Sequence, residues 1–272
     1  NLIDNFLFST LIENPNYAKE LAKIIVKRAT GRTLENFTVE AQKAFNGTDT
    51  DKHGICLDVL VKCTDTNDTV SEVYNIEPNT YYEKNLARRN RYYNALTDSK
   101  LLFSGEDFGA LPELISIWIL SYDPFGDNRM SYSVKNFVTE NPKIVYNDGV
   151  TTIFLNPKGQ IGGTNELANL LKFFSNTTEE TAVDSDLKDI HNIVNSVKRD
   201  SKVGERYMSM QTVMYYEKKM SYEEGEEHGI QLGEKRGIQL GEKRGEERLA
   251  KKLAELGVDP DIIKQAMEKP ED

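Results

Sequence analysis

Two stretches of alternating side chains, joined by a polar turn, constrain the fold of this chain more than any other feature. Four apolar residues recur at every second position of 54–62 and predict one face of a β-strand: Ile55, Leu57, Val59 and Val61. The opposite face of that strand carries Asp58. A second strand is predicted at 73–79, where Glu77 shares a face with Val73 and Asn75. Residues 64–69 have the polar, turn-rich composition of a hairpin loop.

The hairpin would bring two carboxylates to one side of the sheet. If the strands pair, Asp58 and Glu77 project from the same face. Burying an acid on a strand is costly unless a cation or a hydrogen-bond donor holds it. Mg²⁺ binds one or two carboxylates together with waters and phosphate oxygens, so the pair indicates a site for a hard cation.

Beyond the hairpin, the order and spacing of several segments resemble one protein family. These segments are an acidic-aromatic opening at 3–8, Asp-Val-Leu-Val at 58–61, Tyr-Asn-Ile-Glu at 74–77, a basic helix at 84–93 and Asp-Pro-Phe-Gly at 123–126. Together they make residues 1–160 resemble the PD-(D/E)XK nuclease superfamily, and more narrowly its bacterial recombination-promoting nuclease and transposase branch.

This resemblance implies an α/β fold with a restriction-endonuclease-like mixed β-sheet flanked by helices, followed by a C-terminal helical extension. It also implies a Mg²⁺-dependent DNA endonuclease that hydrolyses phosphodiester bonds, with Mn²⁺ as a substitute metal. Asp58 and Glu77 would hold the metal, and the backbone carbonyl of Pro78 would add a ligand. Asn79 would position the attacking water. The implied partner is DNA, and no small-molecule cofactor is expected.

Two positions depart from the family pattern. The family usually has Gln or Lys where this chain has Asn79, whose side chain reaches about 1.5 Å less far than that of Gln. A misplacement of about that size costs roughly a hundredfold in rate. The branch also often has Asp at the position of Asn5, and the adjacent Asp4 is a candidate accessory acid.

Two other interpretations therefore stay open. In the first, the chain keeps the fold without the catalysis, and acts as a DNA-binding or protein-interaction module. In the second, Asp58 and Glu77 are structural, and each is paired with a nearby cation such as Arg88.

A predicted helix at 81–99 carries the best candidates for contact with DNA phosphates. Lys84, Arg88 and Arg91 recur at three-to-four spacing, which places the three cations near one helix face. The same cations are also compatible with an ordinary solvated face. The formal net charge of −10 argues against a protein that coats nucleic acid non-specifically, but a nuclease depends on local charge at its site.

Along the chain, the patterns predict three regions. Residues 1–160 form the nuclease-like core, which begins with helices and contains a mixed sheet. Beside the hairpin, strands are predicted at 34–44, 115–120 and 151–155. Residues 161–220 form a helical region that packs on the core or extends from it, and residues 221–272 form a charged, partly helical tail.

Glycine occupies every fourth position in part of the tail: Gly225, Gly229, Gly233, Gly237, Gly241 and Gly245. One interpretation is a close-packed helix pair, although the glycine stripe drifts by about 40° per step around the helix. The alternative is a partly helical, solvated spacer, because each glycine costs about 0.5–1 kcal/mol of helix stability. A homodimer is a further hypothesis, since nucleases that cut both strands often pair their active sites. A short final helix is predicted from Pro260, capped by Asp259.

Composition also bounds the cellular compartment. Apolar runs are shorter than the roughly 18 residues needed to span a bilayer, and no signal segment opens the chain, so no membrane partner is expected. Cys56 and Cys63 lie about 23 Å apart if both are on one strand, which is beyond disulfide reach. We therefore expect a cytoplasmic protein with reduced, buried thiols.

Overall fold

The structure, a computed structural model, describes residues 1–45 and 54–267. Contacts between Cα atoms divide the chain into two compact units, Asn1–Glu205 and Arg206–Asp272. The predicted boundary at 160 lies inside the first unit, and the predicted boundary at 220 lies inside the second.

In chain order, the described residues form two helices, three strands, one helix, five strands and four helices. The helices are α1 (Asn5–Ile12), α2 (Pro15–Thr30), α3 (Leu86–Asp98), α4 (Asn165–Ser175), α5 (Ser185–Arg199), α6 (Ser201–Glu255) and α7 (Pro260–Met267). The strands are β1 (Phe37–Phe45), β2 (Ile55–Thr64), β3 (Val70–Asn79), β4 (Glu113–Leu120), β5 (Ser131–Val134), β6 (Phe137–Val138), β7 (Asn141–Val145) and β8 (Val150–Leu155). Single 3₁₀ turns lie at Phe108–Ala110 and Glu179–Thr181.

Local sequence signals begin and end the first two helices. Asp4 caps α1, because its side chain accepts a hydrogen bond from the N–H of Leu7 (3.1 Å). Asn14 caps α2 and is followed by Pro15 at the first helical position, where proline is tolerated. Gly31 ends α2 in the left-handed conformation (φ 77°), which glycine adopts without strain.

Six strands form one mixed sheet in the order β1-β2-β3-β4-β8-β5. β1, β2 and β3 are antiparallel neighbours, and α3 then returns the chain so that β4 lies parallel to β3. β8 is parallel to β4, and β5 is antiparallel to β8 at the edge of the sheet. β6 and β7 form a separate two-stranded sheet. The predicted α/β class, with a mixed sheet, flanking helices and a helical C-terminal extension, is confirmed.

The strands predicted from the sequence are present, with bounds that differ by a few residues. β1 begins at Phe37 rather than at 34, and it ends at Phe45. β4 begins at Glu113, two positions before the apolar run that predicted it, and β8 begins at Val150. The differences lie at strand ends, where pairing with neighbours decides how far a strand extends.

Two hydrophobic clusters lie on the two faces of the sheet. The larger cluster joins Val61 and Ile76 of the sheet to side chains of α1, α2, α4 and α5. The smaller cluster joins Leu60 and Trp118 to Leu86 of α3. Glu77 lies on the face of the sheet that α3 covers, because it is in register with Trp118 of β4, which packs in the smaller cluster.

The packing of β2 corrects one prediction. Ile55 and Leu57 pack in the smaller cluster, away from the two valines that were predicted to share their face. On β1, Gln42 has a left-handed backbone (φ 49°) and lies between Ala41 and Lys43, which pair with Val59 and Leu57. The change of cluster on β2 coincides with this residue, and a left-handed residue within a strand changes its local twist.

α6 is one continuous helix of 55 residues, and none of its side chains, all of which are described, is buried. At about 1.5 Å per residue it is roughly 83 Å long. In the single chain these side chains are at least partly exposed, and the helix-pair and solvated-spacer interpretations both stay open. The part of the tail at 221–255 is helical throughout, because the Glu, Lys, Arg, Gln and Leu residues between the glycines are strong helix formers. α7 begins at Pro260 as predicted, and the Asp259 carbonyl accepts from the Ile263 N–H (3.0 Å).

The exposure of the two cysteines bears on the prediction of buried thiols. Cys56 is exposed and Cys63 is partly exposed, so the prediction of buried thiols is wrong. β3 pairs with β2 only as far as Val59, which leaves the strand around Cys56 without that neighbour.

Across residues 1–45 and 54–267, no helix combines the length and the apolar content that a membrane span requires.

Candidate active site

The β2–β3 hairpin brings the two predicted acids together. The antiparallel register pairs Val59 with Ile76, so Asp58 lies opposite Glu77 at the next step. The backbone N–H of Asp58 donates a hydrogen bond to Glu77 Oε1 (3.0 Å). Two carboxylates from neighbouring strands therefore share one site on the face of the sheet that α3 covers.

Burial makes the ionised form of both acids costly. Glu77 is 2% exposed, and burial, reinforced by the charge of Asp58, raises the pKa of Glu77 well above its ordinary value. Burial likewise raises the pKa of Asp58 to about 6, while Arg89 acts to lower it. A bound cation would offset this cost, because a nearby positive charge favours both ionised carboxylates.

Two asparagines flank Glu77 on the same face of β3. The side chain of Asn75 hydrogen bonds to Glu77, which acts to lower the pKa of that acid. Within the described part of the chain, the buried side-chain polar atoms without a hydrogen-bond partner are Asn75 Oδ1 and Asn79 Nδ2. Buried polar atoms are nearly always paired in proteins. A cation suits the free oxygen of Asn75, and a water or phosphate oxygen suits the free N–H groups of Asn79.

Asn79 is held by a turn at the end of β3. Its Oδ1 accepts a hydrogen bond from the N–H of Tyr81 (2.9 Å), which leaves Nδ2 as the amide group without a partner. Its backbone carbonyl accepts from the N–H of Ser121 at the end of β4 (3.2 Å). Successive carbonyls along a strand point to opposite sides, so the Pro78 carbonyl points away from β4, to the side of β3 on which β2 lies.

The donor atoms match the preferences of one class of metal. Asp58, Glu77, the Asn75 side chain and the Pro78 carbonyl all offer oxygen, and Mg²⁺ and Mn²⁺ bind oxygen ligands together with waters. In residues 1–45 and 54–267, no three His, Cys, Asp or Glu side chains are grouped for a metal ion. Two carboxylates are nevertheless sufficient for Mg²⁺ when waters and substrate phosphates complete its ligands.

Arg89 of α3 is the cation at this site, although the sequence pattern had pointed to other basic residues. Its guanidinium carbon lies 5.0 Å from the centre of the Tyr93 ring and 5.2 Å from that of Trp118. Its Nη2 donates to the Tyr93 hydroxyl (3.0 Å). Its charge acts to lower the pKa of both Asp58 and Glu77.

The interpretation that paired the acids with Arg88 selected the wrong neighbour, because Arg88 is exposed whereas Arg89 is half-buried. The buried side of α3 includes Leu86, Tyr93 and Leu96. Arg89 follows Leu86 by three positions and precedes Tyr93 by four, which is the spacing of one helix face. That spacing is the sequence signal that identifies Arg89.

The predicted DNA-contacting cations do not share one helix face. α3 begins at Leu86 rather than at Tyr81, because the preceding residues form turns in which the Glu83 side chain accepts from the Asn85 N–H (2.8 Å). Lys84 therefore precedes the helix. Arg88 and Arg91 lie on α3, and both are exposed, as is Lys84.

Asp4, the candidate accessory acid, begins α1 and caps it. α1 packs in the larger hydrophobic cluster, on the face of the sheet opposite α3. The structure therefore does not bring Asp4 to the same face as Asp58 and Glu77.

A polar network ties α3 to the sheet beside the acids. Trp118 Nε1 donates to Asn90 Oδ1 (2.8 Å), and Asn90 Nδ2 donates to Thr152 Oγ1 (2.8 Å). One turn further along the helix, Ser116 Oγ donates to Asn94 Oδ1 (2.7 Å). These bonds connect α3 to β4 and β8, and they hold the helix that positions Arg89.

Comparison of the chain with family models, curated proteins and solved structures finds no match in any of the three.

Proposed function

We propose that this chain is a Mg²⁺-dependent DNA endonuclease of the PD-(D/E)XK type, with a restriction-endonuclease-like fold. The observation that carries the proposal is the pair of half-buried Asp58 and buried Glu77, held side by side on adjacent strands and flanked by unpartnered amide atoms. The order of elements also supports it. Helices, a hairpin with both acids, a cationic helix and a parallel strand follow one another as the family resemblance implies.

The chain's own residues supply most of the proposed chemistry. Asp58, Glu77 and the Pro78 carbonyl would hold the metal, with Asn75 Oδ1 as a further oxygen ligand. When bound, Mg²⁺ supplies an activated water and neutralises the charge that builds on the phosphate. Asn79 Nδ2 would orient the attacking water or a phosphate oxygen. The water oxygen would form a bond to phosphorus and lose a proton to solvent, while one phosphoester P–O bond breaks and the departing oxygen takes up a proton.

The cations have separate roles in this proposal. Arg89 keeps the acid pair closer to its ionised, metal-binding form, because its charge opposes the effect of burial. Lys84, Arg88 and Arg91 are exposed and contact phosphates that flank the cleaved bond. The biological setting that the resemblance suggests is DNA recombination or transposition in bacteria.

Plasmid cleavage tests the proposal. We expect the purified chain to nick or linearise supercoiled DNA with Mg²⁺ or Mn²⁺, and to leave it intact in EDTA. Asp58→Asn should abolish cleavage, because it removes one of the two metal-binding carboxylates while keeping the shape of the side chain. A rise in melting temperature on addition of Mg²⁺, absent in this variant, reports metal binding independently of cleavage.

Asp68→Asn is the matched control. It makes the same chemical change on an exposed residue in the turn of the same hairpin, so it should cleave like the parent chain. Cleavage that survives Asp58→Asn would overturn the assignment of the site. A folded protein that binds DNA but cleaves it with neither metal would instead be a binding module.

A further inference from the structure

A second candidate site lies on the β8 side of α3, across the helix from the acid pair. A cavity of about 350 Å³ opens between the residues before α3, the loop after β4, and β8. Much of its lining is aromatic or apolar: Tyr82, Leu86, Tyr122, Phe125 and Phe154. A cavity of this size, lined by aromatic side chains and a few polar groups, is typical of sites for small organic ligands.

The aromatic walls of the cavity are held in place. The Tyr82 and Tyr122 rings meet edge to face, with centroids 5.3 Å apart, and Phe125 meets Phe154 in the same manner at 5.6 Å. Phe125 is 57% exposed, yet its loop is fixed by Asp123, which accepts hydrogen bonds from the Phe125 N–H (3.0 Å) and from the Tyr132 hydroxyl (2.8 Å). The rings therefore form a preformed surface for a flat ligand.

Polar and charged groups complete the cavity, including Glu83, whose carboxylate accepts from the Asn85 N–H. Asn90 and Thr152 line it and hydrogen bond to each other. Their oxygen atoms have further lone pairs, with which they can accept bonds from a ligand. Lys84 also lines the cavity and is exposed, so its ammonium group is available to an anion outside it. A flat ring with polar edge atoms, attached to a phosphate, matches this combination of groups.

The register of the sheet sets the distance between the cavity and the acid pair. Glu77 is in register with Trp118, and Trp118 is in register with Phe154 of the cavity. Neighbouring strands lie about 4.8 Å apart, so Phe154 is roughly 10 Å from Glu77 across the sheet. A DNA strand can span that separation with three nucleotides or fewer, because the step between stacked bases is about 3.4 Å and unstacking lengthens it.

We propose that this cavity binds one unstacked nucleobase of the DNA strand whose phosphate lies at the acid pair. The base stacks against the exposed ring of Tyr82, and its polar edge meets Asn90 and Thr152. Lys84 contacts the adjoining phosphate. The inference rests on the proposed function, because it takes the ligand to be part of the nuclease substrate.

Binding of a labelled oligothymidylate in EDTA, measured by fluorescence anisotropy, tests the inference without any cleavage. Tyr82 is 77% exposed and Tyr81 is 63% exposed, but only Tyr82 of these two lines the cavity. We expect Tyr82→Ala to weaken binding about 5- to 150-fold, the range found when an aromatic side chain that stacks on one base is removed. Tyr81→Ala, the matched control, should leave binding unchanged.

A strand of the same length without bases separates stacking from phosphate contact. We expect it to bind more weakly than oligothymidylate to the parent chain, and equally to the parent chain and Tyr82→Ala. Equal binding of the two strands to the parent chain, equal effects of the two tyrosine variants, or no binding of oligothymidylate would overturn the cavity assignment. The binding assay contains no metal and therefore does not depend on cleavage. If binding depends on Tyr82 but plasmid cleavage is absent, the nuclease proposal is rejected and the cavity assignment stands.

Discussion

Asp58 and Glu77 are held close together in a site that is unfavourable for negative charge. Glu77 is buried and Asp58 is half-buried, the two repel each other when both are ionised, and Arg89 opposes these effects. Acids with strongly raised pKa values, next to each other and to a specific cation, occur more often at functional sites than elsewhere. The unpartnered amide atoms of Asn75 and Asn79 extend the same polar site along β3.

At the residue scale, we expect Asp58→Asn to stabilise the metal-free protein at neutral and alkaline pH. The pKa of Asp58 is raised to about 6 in the folded state, so the folded chain loses stability as pH rises from the ordinary carboxyl range to about 6. The loss then remains at higher pH. Asn has no proton to release, so the variant should melt a few degrees higher than the parent at about pH 8.

Thermal melting in EDTA from about pH 4 to about pH 8 checks this expectation. The difference between the two proteins should shrink towards the acid end, where Asp58 is protonated in the parent chain. Asp68→Asn again serves as the control. If the difference in melting temperature between Asp58→Asn and the parent chain does not change with pH, the charge of Asp58 does not destabilise the folded protein.

At the scale of single elements, α3 lowers the pKa of both acids through Arg89, one of its two adjacent arginines. Arg89 faces the sheet and acts on both acids, whereas Arg88 is exposed. Removing Arg89 should therefore raise the pKa of Asp58 and Glu77 further. Arg89→Ala should shift the pH at which Mg²⁺ begins to stabilise the protein upward, by up to about one pH unit.

The measurement is the rise in melting temperature on addition of Mg²⁺, recorded across the pH range. Arg88→Ala is the matched control, since it removes the same charge one residue away and should leave the pH profile in place. Profiles that move equally in the two variants would show that general surface charge, and not the position of Arg89, controls the acids.

At the scale of the whole molecule, the candidate site and most of the long helix lie in different units. The unit Asn1–Glu205 contains the acid pair and the cavity, and the unit Arg206–Asp272 contains most of the exposed helix α6. Among the described residues, a Cβ atom added at any glycine from Gly225 to Gly245 meets nothing within 4 Å. The helix therefore has space for side chains at these positions.

Replacing all six of these glycines by alanine should stabilise α6. Each replacement favours the helix by about 0.5–1 kcal/mol, so helical circular dichroism should persist to higher temperature. Light scattering on the same samples tests the helix-pair interpretation. If the glycines pack against a second copy of the chain, the alanine variant should self-associate less than the parent, and the solvated-spacer interpretation would be wrong.

Local patterns in the sequence were sufficient to predict the hairpin, its two acids and most helices and strands. Alternation with period two marks a strand, and a short turn between two strands sets their register locally. Asp58 and Glu77 could therefore be placed side by side from residues 54–79 alone. The start of α7 at Pro260 followed from similarly local signals.

Only the tertiary structure decided what surrounds the acids. Arg89 arrives on a helix whose covered face depends on packing against β4 and β8, and the nucleobase cavity combines residues from 82 to 154. The change of cluster within β2 occurs beside the left-handed residue Gln42 of the neighbouring strand. The alternation of a strand determines which of its own residues share a face. Which helix covers that face, and which charges it brings, depends on contacts between segments that are far apart in the sequence.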